Sequence, residues 1–492
     1  MKTRFLLFTV CTFFVLSLAS KLKAQVNQRD SMALVDLYNS MGGGFRFHPG
    51  WLQGPVSTWS GVTLSNNRVV GIQLAYDNVH GTLSKSLGNL DSLISLDISH
   101  EFIGLTGSIP SSLGNLQKLS YLALVDNDLS GSIPSSLGNA KGLQRIHLGT
   151  EPLTGSIPSS IGNLQNLVVL DLSNSALSGT IPSSIGNLKK LDSLNFSNNK
   201  LSGPIPGSIG QCTLLTYLDL DNNQITGIIP ASFKNMLNLT TLYAGANQLS
   251  GGLGNVFVAG SHLTDLGLGS NHFIGQIPAS ISNLEKLKTL SLYNNQFSGP
   301  VPTAITKLQQ LQSFTLSVNQ LSGHIPGNFS AMPALSDFDL SYNQLTGNIP
   351  ATLGKSKSLT QINLSHNSLT GTIPASLGKA PLVILDVSFN QLSGDISSFL
   401  NPKTAYYPED LYINNNQLYC STNPQFTQLR KKGTNLTAQD NRFTFDGLEF
   451  LQEKYSDGTD FNVRLDSQAI LPIHINNNLL SVYAGGTLSN IT

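Results

Sequence analysis

The residues of this chain that could do chemistry are its serines, nine histidines, three cysteines and a scatter of aspartates. Their spacing argues against catalysis. No serine sits in a Gly-x-Ser-x-Gly elbow and no His-Glu-x-x-His pair occurs, so neither a strained nucleophile turn nor a helical metal pair is written here. His80, His100, His147, His272 and His366 fall far apart, at or near variable positions, and read as exposed polar residues rather than as a ligand cluster. Cys11, Cys212 and Cys420 show no ligand spacing, and no glycine-rich phosphate loop is present. The sequence therefore predicts a binding protein rather than an enzyme, with no cofactor and no metal.

What remains are aspartates and tyrosines that recur at fixed offsets, because the chain repeats itself. "LSGSIPSSLGNAKGL" at 129–143 returns as "LTGSIPSSIGNLQNL" at 153–167 and "LSGTIPSSIGNLKKL" at 177–191. Units open at Val69, Leu93 and Leu119, then at every 24th residue to Leu359, and the series closes with Leu382 and Pro408. Such self-similarity outranks any domain count from length, since no unit can bury its leucines alone and stacking makes one continuous core.

The pattern LxxLxLxxNxLxGxIPxxLGxL can be read column by column. LxxLxL alternates apolar and polar residues, the signature of a half-buried strand, and one strand per unit stacks into a parallel sheet. The Asn column that follows (Asn127, Asn199, Asn223 and onwards to Asn416) can donate and accept where the chain turns out of the sheet. A glycine column runs unbroken from Gly81 to Gly394, as a tight bend requires. Eleven units carry Ile-Pro or Val-Pro, from Pro110 to Pro374, which shapes and ends a short extended edge. The SSLGNL stretch then returns the chain as a short 3₁₀ turn.

These residues resemble the plant-type leucine-rich repeat of receptor-kinase ectodomains and polygalacturonase-inhibiting proteins. The resemblance implies an α/β solenoid: a right-handed superhelical horseshoe with a concave parallel β-sheet and a convex side of short strands and 3₁₀ turns. It also implies a role in binding extracellular partners. Four further segments flank or punctuate the repeats of 69–420. Residues 1–24, with Lys2 and Arg4 before the apolar run Phe5–Ala19, read as a secretory signal. Residues 25–68 read as an N-terminal cap, with a helix over about 30–41 and Trp51 and Trp59 packing it; this cap is similar to that of secreted bacterial leucine-rich repeat proteins. Residues 421–465, with the basic patch Arg430, Lys431 and Lys432, read as a closing cap, and 466–492 as the start of an immunoglobulin-like module. In a stacked fold Cys212 and Cys420 are too distant to bridge.

Partner contacts are expected at the outward strand positions, at offsets 2, 4, 6 and 7 from each opening leucine. Ten aspartates from Asp97 to Asp410 occupy them, against Arg145 as the sole base. Only 11% of residues are charged, against roughly 25% in ordinary domains. The net charge is 0, and falls to −4 without Lys2, Arg4, Lys21 and Lys23 of the signal segment. An acidic face on a neutral chain excludes nucleic acid and other polyanions. No second apolar run reaches transmembrane length. The first candidate patch is Tyr217, Asp219, Asp221, Tyr243, Asp265 and Tyr293, beside the segment "GGLGNVFVAGSHL" (251–263) that breaks the repeat. The second is Tyr121, Arg145 and His147. The expected partner is an extracellular protein or peptide, and basic groups on it would suit the carboxylates. Two other readings compete: an inhibitor of a secreted hydrolase, and an adhesive or ice-contacting surface built on the Ser/Thr column Thr106, Ser130, Thr154, Ser178, Ser202, Thr226 and Ser250.

Overall fold

The computed structural model describes residues 26–76, 79–99, 104–254, 256–400, 407–421 and 434–443, and the backbone of 463–464, 471–475 and 478–482. The signal segment, His100, the Arg430–Lys432 patch and most of the closing cap lie outside them. Two compact units are present, Met1–Thr226 and Gly227–Thr492.

The first unit opens with an α-helix, Gln28–Ser40, started by Asn27, whose side chain accepts from the Arg29 N–H. Its inner face carries Ala33, Leu34 and Leu37, all buried. The loop that follows is packed by Tyr38, Phe45, Trp51 and Trp59, with the two tryptophan rings 5.1 Å apart. Asp30 lies wholly buried and ties this cap to the first repeat. It accepts a two-pronged Arg68 contact at 3.0 Å and the Val69 N–H at 2.9 Å, so the buried charge is fully answered. The hydrogen bond that Arg68 donates to Asp30 in turn holds its guanidinium above the ordinary pKa.

Strand Val62–Ser65 pairs antiparallel with Arg68–Gln73, and the sheet then continues in parallel through 95–97, 121–123, 145–147, 169–171, 193–195 and 217–219. The register is strict, each step matching equivalent residues, such as Leu194 with Leu218. Each central leucine is buried to zero exposure, and its neighbours face outward. A second layer of short parallel pairs lies after the asparagine column, as in Ser178–Thr180 with Lys200–Pro204. The sequence reading expects short strands on this side, and the backbone pairs them into parallel ladders.

The second unit repeats the plan. Its main sheet runs in parallel from Thr241–Tyr243 through 265–267, 289–291, 313–315, 337–339, 361–363, 384–386 and 410–412 to 435–437 and 463–464. Its second layer pairs successive strands from Gln248–Gly251 to Ser368–Thr370. Phenylalanines supplement the leucine core, with Phe273 and Phe297 stacked at 5.9 Å and Phe329 edge-on to Phe338 at 5.0 Å. Leu471–Ile475 and Asn478–Val482 form an antiparallel hairpin.

Three columns lock each stack. Asn199 accepts from the Leu177 N–H and donates to the carbonyls of Leu172, Phe196 and Ser197; Asn295 does the equivalent four repeats on. Serines of the 3₁₀ turns donate to the preceding turn, as Ser136 does to Ser111 at 2.6 Å. The glycine of that turn has no choice of side chain: a Cβ on Gly114 would sit 2.1 Å from the Ser136 carbonyl. Cys212 and Cys420 are buried, and neither forms a disulfide among the described residues.

Candidate functional site

The outward side chains of the main sheet form the candidate surface, and each unit presents its own. In the first unit, Tyr121 pairs in register with Arg145, and Ala123 with His147. The Tyr121 and His147 rings lie 5.8 Å apart. Burial holds the His147 pKa below its ordinary value against the pull of Asp171, while burial and Asp97 raise that of Tyr121. His147 is thus a neutral, half-buried ring at neutral pH, suited to packing and hydrogen bonding. One Asp97 oxygen is buried without a partner among the described residues. Tyr217 leans along its own strand and donates to Asp219 at 3.0 Å, while Asp219 also accepts from the Asp221 N–H. Those three residues are a prearranged hydrogen-bonded set.

In the second unit, the bed for two tyrosines is made by glycine. Tyr243 matches Gly267 in register, and a Cβ on Gly267 would meet its ring at 2.8 Å. Tyr293 covers Gly269, where a Cβ would stand 2.3 Å from the ring. The two rings therefore rest on one repeat, on strand Asp265–Gly267 and just past its end; Asp265 on that strand accepts from the Thr264 hydroxyl at 2.7 Å. Tyr293 keeps 42% of its surface exposed. The sequence reading finds the two tyrosines by their offsets but passes over Gly267 and Gly269, whose missing side chains seat them. The repeat-breaking segment is not an outward feature throughout: Phe257 is buried and lines, with Phe233, Met236 and Leu263, an apolar cavity of about 30 Å³.

A second group lies at offset 7, one of the outward positions, but the sequence reading does not single it out as a patch. Tyr342, His366 and Phe389, at offset 7 of three successive units, stack face to face at 4.0 and 4.1 Å. The available signal is a change of residue type, from the Asn common at that offset to large rings.

In the Ser/Thr column offered for ice contact, several hydroxyls bond along the stack while their residues stay exposed or half-exposed. Thr106 donates to the Gly81 carbonyl, Ser130 to Gly107 and Ser250 to Gly227, each into the preceding repeat. Among the described residues no group of His, Cys, Asp or Glu is arranged to hold a metal ion, and no helix is long and apolar enough to cross a membrane.

Leucine-rich repeat family models match residues 213–273, 261–321 and 310–369, and also 166–188 and 190–212. The plant peptide hormone receptor RGFR1, solved in complex with RGF2, is 30% identical over 82% of this chain and 76% of its own, with a TM-score of 0.57. The chain belongs to the leucine-rich repeat family. The crystal structure of PEPR1-AtPEP1 is 31% identical to this leucine-rich repeat protein, covering 85% of it and 59% of that chain, with a TM-score of 0.78. Phytosulfokine receptor 1 of Arabidopsis thaliana is 41% identical over 88 residues, 16% of this chain and 8% of that protein. The leucine-rich repeat protein thus matches under a tenth of that receptor's length.

Proposed function

We propose that the chain is a secreted or cell-surface recognition module that binds an extracellular peptide or protein through the outward side chains of its main sheet. The observation that carries this reading is the division of labour along each strand. Inward positions are uniformly apolar and buried, while outward positions hold tyrosines and carboxylates already seated by neighbours, as with Tyr243 and Tyr293 over Gly267 and Gly269. Tyrosine offers broad contact area with a polar tip, and a seated ring loses little freedom on binding. The likeness to receptors solved with peptide ligands supports the same reading. The test is to pan an unbiased displayed-peptide library on the immobilised full chain. Enrichment of peptides that protect outward strand tyrosines from chemical modification is the expected result. A library from which no peptide is enriched would overturn the reading.

A further inference from the structure

In every described repeat from the Leu119 unit onward, the residue at offset 7 has a left-handed backbone, with φ between +48° and +62°. Its N–H is bound into the next repeat, as that of Tyr342 is to the Ser365 carbonyl and that of Phe389 to the Asn414 carbonyl. Stacking therefore imposes the conformation whatever the side chain. Asparagine tolerates it and occupies it at Asn174, Asn198, Asn222, Asn294 and Asn415. Four successive units of the second body depart from this, with Val318, Tyr342, His366 and Phe389; His shares the tolerance of Asn, whereas Val318, Tyr342 and Phe389 are the bulky or β-branched types that this conformation disfavours. Nor do these residues gain burial: Val318, Tyr342 and Phe389 keep 45%, 52% and 43% of their surface exposed. Neither local preference nor the core accounts for them, and backbone outliers of this kind cluster at binding sites.

The chemistry beside the ladder is one-signed. Asp339 and Asp386 stand three residues before Tyr342 and Phe389, and each binds the Ser two residues on through Oδ1. Asp337 and Asp410 add two more carboxylates at offset 2 of their units. No Lys or Arg lies on the main-sheet strands from Thr241–Tyr243 to Asp410–Tyr412. Burial, with Asp339 close by, raises the Asp337 pKa, as expected for a carboxylate that lacks a cation.

Resting on the reading of the chain as a peptide-binding module, we infer that the Val318–Tyr342–His366–Phe389 ladder and the flanking aspartates bind a peptide that alternates apolar and basic side chains. Stacking uses the ring faces against one another, so the strip presents ring edges, a flat apolar track for aliphatic side chains. The carboxylate row beside it takes Lys or Arg.

The probe is a fluorescein-labelled peptide of alternating leucine and arginine, titrated against the full chain by anisotropy at physiological salt. Its controls replace arginine by glutamate or leucine by serine. The test variant is Tyr342→Asn/His366→Asn/Phe389→Asn, which installs the residue that other repeats use at this position, so its melting temperature should match the wild type. A second variant, Asp339→Asn/Asp386→Asn, keeps the ladder and removes two charges. The inference expects binding of the Leu/Arg probe, at least tenfold weaker binding by both variants, and at least tenfold weaker binding of both control peptides. Undiminished binding by the folded triple variant would overturn it, as would equal binding of the Leu/Arg and Ser/Arg probes or failure of the wild type to bind Leu/Arg at all. Should the triple variant melt early, Phe389→Asn alone is read in its place, with at least threefold weakening expected and no change contradictory. If the ladder fails while an unbiased library still enriches peptides, the peptide-binding reading stands and its site lies elsewhere.

Discussion

The same backbone position is filled in two ways. In the first unit, offset 7 of consecutive repeats holds Asn174, Asn198 and Asn222, residues whose short amides suit a left-handed turn. In the second, four successive repeats between Asn294 and Asn415 hold Val318, Tyr342, His366 and Phe389, at the same φ of about +55°. The first set serves the fold. In the second set Val318, Tyr342 and Phe389 work against local preference by roughly 1–2 kcal/mol each, and the two rings recover only part of that by stacking on His366, worth about 0.5–1.5 kcal/mol per pair. A repeat architecture makes such a contrast readable, because every unit is a control for the next.

The largest effect should not distinguish the two regions. Leu194→Ala beneath the asparagine positions and Leu385→Ala beneath the rings both truncate fully buried core leucines. Each should lower stability by about 2–5 kcal/mol in denaturant titrations. A loss confined to one of them would show that the regions differ in their cores rather than only on their surfaces.

Next comes an intruder in the asparagine column of the first unit. Glu151 is 1% exposed and accepts the N–H groups of Asn127 and Leu129 at 2.6 and 2.7 Å. Those bonds favour its charged form, but burial outweighs them and pushes its pKa up to about 8 from 4.5. The folded state therefore keeps a proton that the unfolded chain releases between pH 4.5 and 8. Stability from this group is whole below pH 4.5, declines as pH rises, and is gone above pH 8, a change on the order of a few kcal/mol. Melting scans should show this slope in the wild type and lose it in Glu151→Gln. An unchanged slope would place the proton elsewhere.

Smaller still, Asn222→Tyr puts a lone ring on the left-handed position of the first unit and should cost about 1 kcal/mol. Phe389→Asn exchanges a stacked ring for the favoured residue and should change stability by less than about 1 kcal/mol in either direction. If Phe389→Asn proved the more damaging of the two, the ladder would be a structural device, not a surface for a partner.

The repeat made much of this legible. Leucine, asparagine and glycine columns at 24-residue spacing carry the main sheet, the turns and the core directly, since each column has one physical job in every unit. The second sheet was less visible because its strands are short and interrupted by Gly and Pro, whose usual meaning is a turn. The left-handed conformation at offset 7 could not be read from Val318 or Phe389, since neither residue type announces it; it is imposed by the next repeat's carbonyl. For the site, period-two offsets pick out Tyr243 and Tyr293, but a residue with no side chain, such as Gly267 or Gly269, gives no outward signal. Glu151 escaped for a different reason: burial of a carboxylate depends on two N–H groups from the preceding repeat, which sequence spacing alone does not rank.

The central claim, that outward strand tyrosines carry recognition, is tested most directly by one comparison. The dissociation constant of a library-selected peptide is measured for the wild type and for Tyr243→Ala/Tyr293→Ala, at a temperature where both are folded. Removing rings that rest on Gly267 and Gly269 opens no core cavity, so the melting temperatures should agree within a few degrees. The account predicts at least a tenfold rise in Kd, about 1.4 kcal/mol. An unchanged Kd in the folded double variant would contradict it.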